Sequence, residues 1–232
     1  MTRPLMTLLV GALIFMAVPP HPASAHVKNR HVETFANTTF KDTLTTTAAW
    51  DTTTQQLRLP DFEFELVGSV DTPGAANALQ VLGNLLYVAD QHAGLVIYDI
   101  TDPPNPTLVG SFPTTTAWGV HVVGDRAYVA DFTSGLRIID VSNPASPVQL
   151  GIYNTPFAAN GVEVVGRRAY VADGNTGLVI LDVGNPASPT LLGTCDTPGT
   201  ANAVDVEGRR AYIADRAAGL VIVDISDPTN PV

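Results

Sequence analysis

Asp90, Asp131, Asp173 and Asp215 form one evenly spaced carboxylate series in this chain, and Asp99, Asp140, Asp182 and Asp224 form a second. A series of carboxylates could hold calcium, which takes oxygen ligands from loops. The local setting favours another use. Each of the first four aspartates precedes a short connection that closes at a glycine: Gly94, Gly135, Gly177 or Gly219. An Asp in such a place accepts hydrogen bonds from turn amides. Recurrence once per unit assigns both series to the scaffold.

Positions that differ between units carry more functional information, because a frame repeats while a binding or reaction site needs local asymmetry. The runs LQV, VHV, VEV and VDV place Gln80, His121, Glu163 and Asp205 at one aligned position. If these runs line a central channel, the four residues form a polar arc. One histidine with two carboxylates could hold a divalent metal or exchange protons with a substrate, and a hydrated channel wall would use the same residues. Three residues earlier stand Asn77, Trp118, Asn160 and Asn202, where Trp118 breaks the asparagine pattern. The loop carrying them and the Asp-to-Gly connection should open on one face, grouping Gln91, His92, Phe132, Asn175 and Arg216 near Trp118. An exposed Trp and Phe among mixed polar groups suit a peptide or carbohydrate. The plainer use of Trp118 is to fill space between units.

The elements that position these residues follow from an internal repeat. Tyr87, Tyr128, Tyr170 and Tyr212 recur at spacings of 41, 42 and 42 inside YVAD, YVAD, YVAD and YIAD. Gly83, Gly124, Gly166 and Gly208 precede them by four residues. Runs such as ALQVL, LYVA and LVIYDI are β-branched and too short for helices, so each unit reads as four short strands. The third strand is apolar at nearly every position, which predicts burial of both faces between neighbouring units. DPPNP, NPASP and DPTNP separate the units. Four antiparallel strands in about 42 residues make one blade of a β-propeller. The expected fold is all-β, an incomplete propeller of four visible blades at about 64–106, 107–147, 148–189 and 190–231, within a repeat region 61–232. Val232 aligns with Thr107, Val148 and Thr190, each the residue that opens the strand beginning the next unit. The repeats therefore stop at the threshold of a further blade.

The literal LVIVD at Leu220–Asp224, with near copies LVIYD, LRIID and LVILD, is similar to the LVIVD-repeat proteins of bacterial and archaeal cell surfaces. That resemblance implies a secreted or surface-attached propeller and supplies no catalytic residues.

Residues 1–25 read as a secretory signal: Arg3, an apolar run from Leu5 to Val18, Pro19 and Pro20, then Ala23-Ser24-Ala25. The run of 14 residues is short for a membrane span. Residues 26–60 are threonine-rich and outside the repeat, a linker with a possible strand pair in Ala48–Leu59 that would pack Trp50 and Leu57 on the first blade. His26 with His31 could chelate copper, and Asn37-Thr38-Thr39 matches a glycosylation sequon, but nothing else in the sequence supports either. With 22 acidic against 12 basic residues and a formal charge of −10, nucleic acid is excluded as a partner. The single Cys195 aligns with apolar strand positions and is expected to be buried and inert.

The expected function is non-enzymatic: a secreted or cell-surface module that presents Trp118, Phe132, Asn77, Asn160, Asn202, His92 and Arg216 to a protein or carbohydrate. No cofactor, resident metal or membrane span after signal cleavage is expected. The second reading is a propeller hydrolase or lyase, or a metal-binding domain, working through Gln80, His121, Glu163 and Asp205.

Overall fold

The computed structural model describes residues 34–36, 45–47, 49–51, 56–58 and 66–232. The signal segment, the His26 and His31 pair and the Asn37 sequon lie outside the described residues. The chain divides into two compact units, Met1–Glu65 and Leu66–Val232. In the first, β1 (Thr34–Ala36) pairs with β2 (Thr45–Thr47), and β3 (Ala49–Asp51) pairs with β4 (Gln56–Arg58). Trp50 stands opposite Leu57 across β3 and β4.

The second unit is a row of antiparallel sheets, each a simple meander. Blade 1 comprises β5 (Ala78–Leu82), β6 (Leu85–Ala89), β7 (Leu95–Asp99) and β8 (Thr107–Phe112). Blade 2 has β9 (Gly119–Val123), β10 (Arg126–Ala130), β11 (Leu136–Asp140) and β12 (Val148–Tyr153). Blade 3 has β13 (Gly161–Val165), β14 (Arg168–Ala172), β15 (Leu178–Asp182) and β16 (Thr190–Cys195). Blade 4 has β17 (Ala201–Glu207), β18 (Arg210–Asp215) and β19 (Gly219–Asp224). The first strands of successive blades neighbour one another, β5 beside β9, β9 beside β13 and β13 beside β17. The result is an incomplete propeller of four-stranded blades. Among the described residues no helix is long and apolar enough to cross a membrane.

Sheet faces packed on sheet faces hold the row together. Tyr87, Ala89, Leu95 and Ile97 form the trailing face of blade 1 and pack on Val120, Val122, Ala127, Val129 and Ile139, the leading face of blade 2. Tyr128, Ala130, Leu136 and Ile138 meet Val162, Val164, Ala169 and Val171 in the same way. Tyr170, Ala172, Leu178 and Ile180 meet Ala211, Ile213 and Val223. Each fully buried Leu or Ile stabilises by about 2 kcal/mol. The continuous apolar pattern of β7 and β15 thus reflects burial on both faces, as expected. On blade 4 the trailing face is open: Leu220 and Ile222 are 64% and 53% exposed, while their counterparts Leu95, Leu136, Ile97 and Ile138 are fully buried.

The aspartates close each blade at one end. Asp90, Asp131, Asp173 and Asp215 are buried. Asp90 accepts hydrogen bonds from Thr72 Oγ1 (2.8 Å) and the Gly74 N–H (2.7 Å). Asp173 accepts them from Thr155 Oγ1 (2.6 Å) and the Phe157 N–H (2.9 Å). The donors belong to the loop approaching the blade's first strand rather than to the Asp-to-Gly turn itself. In the second series, Asp99, Asp140, Asp182 and Asp224 accept from the N–H two residues on, at 2.7 to 2.8 Å. Bonds from the side chain and N–H of Thr101, Ser142 and Ser226 hold the Asp99, Asp140 and Asp224 carboxyls below the usual range.

Candidate functional site

The approach loops and Asp-to-Gly connections form one end of the propeller and interlock between blades. Gln91 and Ala117 exchange two backbone hydrogen bonds (3.1 and 2.9 Å), as do Phe132 and Ala159 (3.1 and 2.9 Å) and Gly174 and Ala201 (3.2 and 2.9 Å). Aiming both groups at the next blade turns the residue after each aspartate into the left-handed region, with φ of +40° at Gln91, +43° at Phe132 and +52° at Gly174. Glycine adopts this conformation freely, whereas a side chain there costs about 1 kcal/mol. Arg216 occupies the aligned place in blade 4, bonds the Thr200 carbonyl of its own approach loop (3.2 Å) and is not left-handed. The strain at Gln91 and Phe132 therefore accompanies docking of the next blade.

At the same end a cleft of about 310 Å³ runs along the starts of the first strands. It is lined by Asn77, Trp118, Asn160 and Asn202 together with Gly119, Gly161 and neighbouring aliphatics. Two of the asparagines serve the scaffold. Asn77 Nδ2 donates to the Ala117 carbonyl (3.2 Å), and Asn160 Nδ2 donates to the Ala201 carbonyl (2.9 Å). Trp118 makes no such bond. Its ring stacks on Phe132, centroids 5.6 Å apart and planes at 23°. Its buried indole N–H has no hydrogen-bond partner, a cost that asparagine at this position avoids. Trp118, which breaks the asparagine pattern and lines the cleft, thus meets Phe132 beside it.

The expected cluster is only partly assembled around that pair. His92 lies 3.3 Å from the Thr115 carbonyl, in the loop that leads to Trp118. Asn175 accepts from Thr200 Oγ1 (3.1 Å) at the blade 3 to blade 4 junction, and Arg216 is exposed on blade 4.

Gln80, His121, Glu163 and Asp205 stand on the first strands, and Gln80 and Glu163 reach the backbone of the next blade. Gln80 donates from Nε2 to the Val122 carbonyl (2.9 Å) and accepts the Val122 N–H at Oε1 (2.7 Å), so its amide is a tether between blades. Burial lowers the pKa of His121 and raises that of Glu163, the latter with help from neighbouring Asp205 and against a bond from the Val206 N–H. Among the described residues no three His, Cys, Asp or Glu side chains converge as a metal site, so His121, Glu163 and Asp205 do not form one.

The LVIVD repeat family model matches residues 73–114, 115–155, 158–197 and 198–232, most of the chain. The chain belongs to the LVIVD repeat family. Among curated proteins none matches it. This LVIVD repeat chain is similar in fold to the computationally designed Ika4 protein, with a TM-score of 0.55 at 10% identity over 69% of this chain and 98% of that one. The designed Ika8 protein gives 0.57 at 11% identity, covering 82% of this chain and 57% of that one. A functionally unknown protein from Desulfotomaculum acetoxidans DSM 771 gives 0.60 at 13% identity, covering 78% and 62%. The chain thus spans about three fifths of the length of the latter two. At these identities the likeness is one of fold.

Two further departures from the LVIVD repeat frame lie at the same end. Phe157, about half exposed, replaces Gly74 and Gly199 of the aligned TPG loops, and its ring lies against Gly174. Arg137 replaces Val96, Val179 and Val221 in the third strand, where its Nε bonds Asp131 (2.5 Å) and its Nη1 bonds Gln149 (2.7 Å). Both were visible in the sequence as asymmetries of the kind that marked Trp118. Cys195 is half-buried rather than buried, and burial and Asp196 raise the pKa of its thiol.

Proposed function

We propose that this protein is a non-enzymatic binding module that works outside the cytoplasm and presents its loop end to a protein or glycan. The observation that carries the reading is the Trp118–Phe132 stack beside the cleft, where the other repeats place asparagine at the first position and glutamine, glycine or arginine at the second. Scaffold needs are met at those positions by Asn77, Asn160 and Gly174, so two aromatics, a left-handed Phe and an unbonded indole N–H serve something else. An aromatic platform beside amide side chains matches the stacking and hydrogen-bonding surfaces of a sugar ring or an extended peptide. Phe157 extends the apolar surface of this end. Export is supported by the charged start, apolar run and small-residue triplet of residues 1–25.

The test is a binding screen on glycan and peptide arrays, followed for each hit by titration calorimetry. Trp118→Asn and Phe132→Gly should each abolish binding of the hits, while His121→Ala leaves it intact. Loss of binding in His121→Ala with retention in the other two would overturn the proposal.

A further inference from the structure

We propose that the ligand of the loop end is an uncharged sugar, a short saccharide seated in the cleft against Trp118. The inference rests on the binding-module reading above and narrows it to one ligand chemistry.

The middle of the cleft carries it. Trp118 and Asn160 both line the cleft, and they belong to blades 2 and 3, each of which is packed between two other blades. The rest of the lining is asparagine, glycine and aliphatic residues, and among the described residues no charged side chain takes part. A ligand carboxylate, sulfate, phosphate or ammonium seated there would lose its water without gaining a counter-charge, and burying a charge in that way is costly. The formal charge of −10 adds a long-range repulsion of anions. These terms select a neutral occupant.

The amides of the cleft set its polar contacts. Asn77 Nδ2 donates to the Ala117 carbonyl (3.2 Å), and Asn160 Nδ2 is shared between the Ala201 carbonyl (2.9 Å) and Asn202 Oδ1 (3.5 Å). Those bonds orient both side chains from the scaffold and leave their carbonyl oxygens to accept from a ligand. Successive blades therefore offer an amide at Asn77, an indole at Trp118 and an amide at Asn160. A sugar ring brings the matching order, hydroxyl donors on its rim and an apolar C–H face between them. The stack on Phe132 holds the indole before a ligand arrives, which reduces the ordering cost of binding.

The floor of the cleft disfavours the rival occupant, an extended peptide. A Cβ on Gly119 would stand 2.9 Å from the Asn160 carbonyl oxygen, and one on Gly161 would stand 2.9 Å from that of Asn202. Successive first strands touch here and leave no free sheet edge between them to which a peptide strand could add. The volume of about 310 Å³ also lies at the small end of ligand pockets, which run from ~300 to ~1,000 Å³. It suits a short saccharide or the end of a glycan rather than a chain laid along the surface.

Titration calorimetry on the full chain tests this. The probes are glucose, mannose, galactose and N-acetylglucosamine with their short oligomers, then glucuronic acid, a sulfated galactose and hexapeptides of mixed sequence. At least one neutral saccharide should bind, with an affinity unchanged by salt between about 0.05 and 0.5 M. Trp118→Asn should weaken that binding about tenfold or more, and Phe132→Gly gives a second reading with Trp118 in place. Melting curves of both variants show whether a loss of binding is a loss of fold. If no neutral saccharide binds, or if the only binding that Trp118→Asn removes is to peptides or acidic sugars, the sugar inference is overturned; in the second case the binding-module reading stands. A neutral saccharide that binds equally well to both variants overturns the inference and the assignment of this end to binding together.

Discussion

Blades 2 and 3 share a frame and differ at one end. Blade 3 meets its neighbour with Asn160 bonded to a carbonyl, Gly174 in the left-handed turn and Val179 in the third strand. Blade 2 has Trp118, Phe132 and Arg137 at those positions, and each carries a cost that blade 3 avoids: an indole N–H without a partner, a side chain at φ +43° and a largely buried guanidinium. The pair of blades separates what the fold requires from what it merely tolerates. A residue that returns in every unit answers to packing, while a costly departure that the fold does not need points to selection by a ligand.

The largest expected effect tests the buried ion pair that only blade 2 has. Asp131→Asn leaves Arg137 without its counter-charge and should destabilise by about 3 kcal/mol. In blade 3, Asp173→Asn disturbs only the Thr155 and Phe157 bonds and should cost about 1.5 kcal/mol. Urea unfolding of the two variants measures the difference, and equal losses would mean that Arg137 is not held by Asp131.

A smaller effect separates His121 from Glu163, which occupy the same position in the two blades. Burial lowers the His121 pKa, so its stabilising effect is complete above the unfolded-state value and is lost as pH falls through the folded-state one. Burial raises the Glu163 pKa, so its contribution is complete below the unfolded-state value and is lost as pH rises through the folded-state one. Melting curves from pH 7 down to about 5 should therefore fall less steeply in His121→Gln, while Glu163→Gln should melt higher than the unsubstituted protein at neutral pH. His121→Gln should also gain a tether to the backbone of Val164, as Gln80 has to Val122.

The blades were legible in the sequence because strand period, turn residues and repeat length all agree on one frame. Trp118 was legible because it departs from three asparagines. The partners of these residues were less so. Asp90 and Asp173 take donors 16 to 18 residues away, in a loop whose approach depends on the packed blade. Gln80 was read as a channel residue, yet the direction of its amide is fixed by how closely β9 lies beside β5, a distance no single repeat encodes. The left-handed Phe132 was hidden for a similar reason, since its conformation comes with docking to Ala159. Arg137 and Phe157 carry the same signal as Trp118, each a departure from an aligned residue of the other blades.

The smallest expected change is also the most telling. Trp118→Asn combined with Phe132→Gly gives blade 2 the residues that blade 3 already has. If the stack exists for a ligand, the double variant restores the carbonyl bond and relieves the turn, and its Tm should equal or exceed that of the unsubstituted protein. A Tm lower by several degrees would show that Trp118 and Phe132 hold the blades together, and would contradict the assignment of this end to binding.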